Sequence, residues 1–317
     1  MAPTSEAMSN LYPKGTAVVS ALRTSEYRHR LVPNDPYGSH FIGVMNILFP
    51  SGERGFIRVL GQARFLVKDV ELQNRIDDFV RQEAQHARAH SIVAQQSSFC
   101  GKHTTRATNI TEALVRVMFG RKNTRSHSLL LFRVAIVATI EHLTAEMGRW
   151  AFEDARFAEL ECDPVMAELI TWHCAEEVIH RSVAFDTLVD IAPHWHRTLR
   201  SVAMLMWMPV FFATWIMCAQ ALLFDDKTVS KRLLTPARVH RSSRSGAMPS
   251  IPLLVKRMLP FFRKSFHPDS VVSPETDALC VAYLEIPVLR DNKHEERKDQ
   301  DRHDLETKDL QPLTLTK

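Results

Sequence analysis

Residues 164–192, PVMAELITWHCAEEVIHRSVAFDTLVDIA, decide the fold. Apolar residues recur here with a period near 3.6, Asp163 stands as a cap, and Pro164 occupies the first helical position. Nothing in the run breaks a helix before Pro193, so the spacing predicts a single rod of roughly 40 Å at 1.5 Å per residue. Glu177 and His180 stand inside this otherwise apolar helix as E-x-x-H, three residues apart on one face.

Working back along the chain, residues 68–96, KDVELQNRIDDFVRQEAQHARAHSIVAQQ, carry a second helical stripe of Val70, Leu72, Ile76, Phe79, Val80, Ala84, Ala87 and Val93, with Asp69 as its cap. It holds the same motif, Glu83 and His86. The apolar run Leu129 to Ile140 continues into EHLTAEMGRWAFEDARF, too long for a strand and too apolar for a surface helix, and Glu141 follows it directly. Before these, residues 40–66 include a Pro50-Ser51 helix start and Glu53. Four long helices that each bury a face predict an all-α fold, a four-helix bundle with additional helices.

Composition agrees. Gly 10 and Tyr 4 in 317 residues are few for a turn-rich β protein, and 45% hydrophobic with 24% charged residues is ordinary for a globular chain. The net charge of +4 with no nucleic-acid-binding motif excludes nucleic acid as the expected partner. Five cysteines without a C-x-x-C pair argue for reduced thiols and against a zinc ribbon. Residues 1–38, with Pro3, Pro13, Pro33 and Pro36, read as an irregular N-terminal arm; residues 39–285 as the helical body; and 286–317 as a disordered charged tail. The start of the chain lacks a charged and apolar leader, so the expected location is the cytoplasm.

Two stretches complicate that location. Residues 202–224 form an apolar run of bilayer-spanning length interrupted by Pro209, and residues 251–268 mix apolar side chains with Lys256, Arg257, Arg263 and Lys264 as an interfacial helix does. Peripheral contact with the inner membrane face, through a hairpin kinked at Pro209, and a buried soluble helix both fit residues 202–224.

The chemistry lies in the order Glu53, Glu83-x-x-His86, Glu141, Glu177-x-x-His180 across four helices. A single E-x-x-H is weak, since chance supplies roughly one in a chain of this composition, and a third copy, Glu26 with His29, reads as a solvated surface pair. The alternation is what a carboxylate-bridged two-metal site in a bundle requires: a Glu from each of two helices and a Glu plus a His from each of the others. An unpaired carboxylate after LLLFRVAIVATI would cost several kcal/mol, a penalty a dication removes.

The blocks FPSGERGFIRVL, FVRQEAQHARAH, IEHLTAEM and WHCAEEVIHRSVAFD resemble those of the bacterial proteins labelled predicted metal-dependent hydrolases, which are ferritin-like in pattern. The ligand arrangement is also similar to that of the di-iron arylamine N-oxygenases, which carry a further histidine one turn before the second E-x-x-H. That resemblance implies a role for His173, and a ligand set of Glu53, Glu83, His86, Glu141, His173, Glu177 and His180. His90 is expected beside the site or as a core histidine, Asp186 as an acceptor for a ligand imidazole, and Thr144 near the site or as an ordinary helix threonine. Glu176 and His142, turned about 100° from their neighbours, are expected to pair with other helices.

Carboxylate and imidazole ligands suit two iron ions first and manganese second. The leading expectation is an O2-activating di-iron oxygenase or oxidase, N-oxygenase-like, acting on a small-molecule substrate with O2 and an external electron donor. The alternative is a metal-dependent hydrolase working through a hydroxide shared by two metals. The third is an iron-binding or membrane-stress protein without organic turnover. If the two-metal reading holds, Glu53 and Glu141 lie within about 10 Å of His86 and His180.

Overall fold

The computed structural model describes residues 12–27, 30–97 and 100–286, and these contain helices and no strand. The α-helices are α1 (Tyr12–Thr24), α2 (Pro36–Gly43), α3 (Met45–Ala63), α4 (Val70–Gln96), α5 (Lys102–Phe119), α6 (His127–Glu153), α7 (Pro164–His180), α8 (Val183–Ile191), α9 (His196–Asp225), α10 (Pro236–Ser245), α11 (Ile251–Met258) and α12 (Pro274–Glu285). Side-chain caps start three of the long ones. Asp69 accepts from the Glu71 amide at 2.9 Å, Ser126 from Leu129 at 3.3 Å, and Asp163 from Val165 and Met166 at 3.1 and 3.0 Å. Each satisfies amides that the first helical turn leaves without a partner.

Helices α3, α4, α7 and α6 form a closed ring in which each packs on the next and α6 returns to α3. Phe79, Leu60, Val134, Val137, Leu169 and Val178 are at most 0% exposed within it. Burial of each such side chain contributes roughly 1.5–3 kcal/mol, which is what holds polar groups in the interior of the ring. The remaining helices clad it: α5 lies on α3, α9 on α5 and α6, α8 and α11 on α6, and α1 and α12 on α7.

Several elements depart from the sequence reading. The N-terminal arm contains a packed helix: α1 buries Val18, Val19 and Leu22, and Leu31 and Val32 are buried beyond it. Pro13 sits in the first turn of α1, where a missing amide costs little. The Lys14 ammonium, also buried, donates to the Tyr283 and Ile286 carbonyls at 2.8 and 3.0 Å, tying α1 to the end of α12. Pro50 does not start α3 but lies inside it, because burial of Val44, Met45, Ile47, Leu48 and Phe49 carries the helix through the proline.

The expected single rod from Pro164 to Pro193 is two helices broken at Arg181 and Ser182. Arg181, 1% exposed, turns its guanidinium back onto the Val178 carbonyl and forms a fork with Asp277 at 2.8 and 2.9 Å. That carbonyl is the acceptor that the Ser182 amide would need to continue the helix. The hydrogen-bond ladder is therefore interrupted after His180, while Arg181 and Ser182 keep right-handed helical dihedrals.

Helix α9 runs unbroken through Pro209, so the kinked hairpin is not formed. Both α6 and α9 are long and apolar enough to cross a bilayer; the apolar window of α6 is 72% buried inside the protein and that of α9 39%. Residues 251–268 divide their apolar side chains: Leu254, Met258, Phe261 and Phe266 are buried on the core, while Val255 and Leu259 stay exposed. Helices α5, α10 and α12 were not anticipated. The expected tail after residue 286 and the partner His29 of Glu26 lie outside the described residues.

The approach of α6 to α7 is set by Gly148, where a Cβ would stand 2.4 Å from the Cys174 carbonyl oxygen. Backbone cannot yield as a side chain does, so Gly148→Ala should destabilise the fold by about 1–3 kcal/mol, read as a lowered Tm. An unchanged Tm would show that the two helices can separate freely.

Candidate metal centre

The ring places Glu53 from α3, Glu83 and His86 from α4, Glu141 from α6, and His173, Glu177 and His180 from α7 in one interior region. All seven are at most 3% exposed. Ligand atoms of Glu83, His86, Glu177 and His180 lie within 4.8 Å of one another, as do those of Glu53, His86 and His173. Glu141 joins through His180, whose Nδ1 is 3.1 Å from Glu141 Oε2 while its Nε2 is 3.3 Å from Glu83 Oε1. The His173 Nε2 lies 3.0 Å from Glu177 Oε1 and 3.9 Å from Glu53 Oε1. The 10 Å condition on Glu53 and Glu141 is met.

Two networks fix which imidazole nitrogens face this region. The His86 Nε2 meets Glu176 Oε2 at 2.8 Å, and the Trp172 indole donates to the other oxygen, Oε1, at 2.9 Å. The carboxylate accepts the Nε2 proton, so Nδ1 of His86 is the nitrogen turned toward Glu83 and Glu177, at 3.4 and 3.7 Å, and the one that a metal would take. The second network starts at Asn46, whose Oδ1 lies 2.8 Å from His90 Nδ1. His90 therefore carries its proton on Nδ1 and accepts at Nε2 from His173 Nδ1, 2.9 Å away. His173 Nε2 is then a free lone pair aimed at Glu53 and Glu177. Stacking of His86 on His173, with centroids 4.0 Å apart, and the edge of Phe79 against His180 at 4.8 Å hold the rings in place.

The electrostatics show a region in need of positive charge. Burial, reinforced by Glu83, holds the Glu53 carboxyl well above the usual range; burial, with Glu177, does the same to Glu141. Burial works against charge on His86 and His180, yet the carboxylates around them outweigh it and raise both well above the ordinary imidazole value. Burial and neighbouring imidazoles depress His90 and His173, in keeping with their neutral hydrogen-bonded chain. Both oxygens of Glu53, Glu83 and Glu141, Oε2 of Glu177, Nδ1 of His86 and both nitrogens of His180 are buried without a hydrogen-bond partner. Orphaned buried acceptors at this density are rare in a native interior. Their convergence fits metal ions, which need deprotonated oxygen and nitrogen donors turned inward.

The neighbouring candidates divide. His90 is beside the site, behind His173. Thr144 lines the adjoining cavity but its hydroxyl donates to the Glu141 carbonyl at 3.1 Å, as a helix threonine does. Asp186 does not orient a ligand imidazole. It sits on α8 past the Arg181 break and is engaged by Arg75 and His267, each at 2.9 Å. His142 stacks on Phe261 at 5.0 Å. Glu176 does pair with another helix, and the sequence reading missed that its partner is a candidate ligand; the signal was that an inward imidazole requires an outer acceptor, and Glu176 adjoins Glu177. Asn46, buried in the apolar stretch before Glu53, was missed entirely.

Two outcomes test this geometry. Because burial raises Glu53 and Glu141 and the surrounding carboxylates raise His86 and His180, these groups hold protons more tightly than free side chains do, and uptake of Mn(II) or Zn(II) should release protons, measured by calorimetry in buffers of different ionisation enthalpy. Uptake with no proton release would contradict the assignment. Replacing Glu176 by Leu should weaken metal affinity about 10–100-fold while the helical circular dichroism is kept. Unchanged affinity would make the Glu176 contact with His86 incidental.

No curated protein and no solved structure matches this chain. A family model does match, over residues 20–271, which covers the ring, the seven buried side chains and both supporting networks. With that span, the chain belongs to the family described as predicted metal-dependent hydrolase.

Proposed function

We propose that the protein is a two-metal hydrolase of a small organic substrate, with Glu53, Glu83, His86, Glu141, His173, Glu177 and His180 as the ligands. The observation that carries this reading is the convergence of unpartnered buried carboxylate oxygens and imidazole nitrogens from four helices. The family description supports hydrolysis as the reaction. Two divalent ions here would supply a Lewis acid to polarise a substrate oxygen and acidify a water for attack.

The chain's own groups do the rest. Glu176 holds the Nε2 proton of His86, and His90 takes that of His173 Nδ1, so both imidazoles keep their inward nitrogens unprotonated. Glu53, Glu83, His173 and Glu177 line a cavity of about 60 Å³, and this is the side from which a substrate meets the cluster. Phe49, Phe56 and Phe119 on its walls keep bulk water out, which strengthens every charge interaction inside. Zn(II) and Mn(II) both accept this donor set.

The O2-dependent di-iron oxygenase remains a second reading, favoured by the apolar walls and by a donor set of imidazole and carboxylate without thiolate. Cys174 is buried, and burial with Glu177 beside it pushes its thiol up, away from the thiolate form. The cavity argues against an arylamine substrate: about 60 Å³ is well under the roughly 150 Å³ that takes benzene in a protein core.

The test is methyl acetate hydrolysis, followed by acid release, in protein loaded with Zn(II), Mn(II) or Fe(II), with and without O2. The hydrolase reading expects metal-dependent cleavage indifferent to O2, lost to background in His180→Ala. Absence of cleavage with every metal, together with O2 consumption by the Fe(II) form, would replace it with the oxygenase reading.

A further inference from the structure

The cavity next to the cluster has a polar end and an apolar body, and its makeup defines what it can hold. Glu53, Glu83, His173 and Glu177 form one end. The body comes from Phe49, Phe56, Val115, Met118, Phe119 and Phe211, on α3, α5 and α9. Two hydroxyls reach the cavity, but both are committed to backbone: Thr144 donates to the Glu141 carbonyl at 3.1 Å, and Thr214 to the Val210 carbonyl at 2.7 Å. Trp207, another wall residue from α9, differs. Its indole Nε1 is buried and has no hydrogen-bond partner. A buried donor left unpaired costs about 1–3 kcal/mol, so its presence in an apolar wall asks for an acceptor.

We infer that this cavity is the substrate pocket, and that it takes a short uncharged acyl compound whose carbonyl oxygen accepts from Trp207 Nε1 while its alkyl part fills the α5–α9 walls. The inference rests on the two-metal reading for the reaction, and it adds the substrate class and the anchoring residue. Size limits the ligand, since about 60 Å³ admits a chain of a few carbons but not a ring. Charge limits it too. Apart from the cluster end, no cation among the described residues lines the pocket, so a phosphate or carboxylate group in the body would be desolvated without compensation.

Gly52 makes the pocket open to test. It lines the cavity within α3, its backbone is helical, and a Cβ there would meet no atom within 4 Å. A Cβ at this position has room beside the pocket, so a larger side chain is expected to fill it, and replacing a mid-helix glycine favours the helix.

The experiment titrates the metal-loaded full-length protein with butyramide, following indole N–H resonances by NMR, with propyl phosphate as the charged counterpart and metal content measured on every sample. Expected results are saturable butyramide binding that shifts one indole resonance, the one missing in Trp207→Phe, and an approximately tenfold weaker Kd in that variant. Gly52→Leu should abolish binding while keeping two metal ions and the wild-type Tm. Butyramide binding unchanged in Gly52→Leu, equal affinity of wild type and Trp207→Phe, or tighter binding of propyl phosphate would each overturn the inference. Metal content separates the two claims: a protein without metal that still binds butyramide through Trp207 would sink the two-metal reading and leave the pocket assignment standing.

Discussion

The constraint on which this structure depends is the compensation of buried charge. Four carboxylates, Glu53, Glu83, Glu141 and Glu177, project with three imidazoles into the interior of one ring of helices, and none is more than 3% exposed. An uncompensated buried ion costs several kcal/mol, while a whole domain is stable by only about 5–15 kcal/mol. The four cannot all be ionised there unaided. Without metal the same burial and crowding of carboxylates raise the proton affinity of Glu53, Glu141, His86 and His180. Two dications balance four carboxylates outright, and the apolar packing around them then becomes an asset, because it lowers the dielectric in which those charges act.

Preorganisation is the second theme. The candidate ligand imidazoles are held in orientation by hydrogen bonds: Trp172 to Glu176 to His86 sets one, and Asn46 to His90 to His173 sets another. Both networks lie outside the cluster and inside the ring, on residues whose positions follow from helical phase. The break after His180, made by Arg181 taking the Val178 carbonyl, ends the site-bearing helix and sends α8 elsewhere, which is why Asp186 serves Arg75 and His267 instead.

Much of this was legible in the sequence, for a physical reason: spacing on a helix is spacing in space. The E-x-x-H pairs, and Glu141 at the end of an apolar run, had to share buried faces once the helices formed. His173 followed from resemblance, and its contact with Glu177 at 3.0 Å is the i, i+4 relation made visible. What escaped notice depended on tertiary contacts. The Arg181 break requires Asp277 and Asp269, about ninety residues away in the chain, and nothing local signals it. Helix α1 reads as part of an irregular arm because four prolines mark residues 1–38, although only Pro13 falls within it, and because its buried residues, Val18, Val19 and Leu22, are few. The amphipathic 251–268 pattern fits a lipid surface and a protein core equally well, since both are apolar, and tertiary contacts such as Phe261 against His142 are what show which of its side chains the core takes.

Crystals of the protein soaked with Mn(II) or Zn(II), measured for anomalous scattering at the metal's edge, test the central claim most directly. The account predicts two peaks inside the ring, roughly 3.5–4 Å apart and about 2.0–2.2 Å from the carboxylate oxygens and inward imidazole nitrogens that face them. Peaks only at the protein surface, or a single interior ion with Glu53 and Glu141 left uncoordinated, would contradict it.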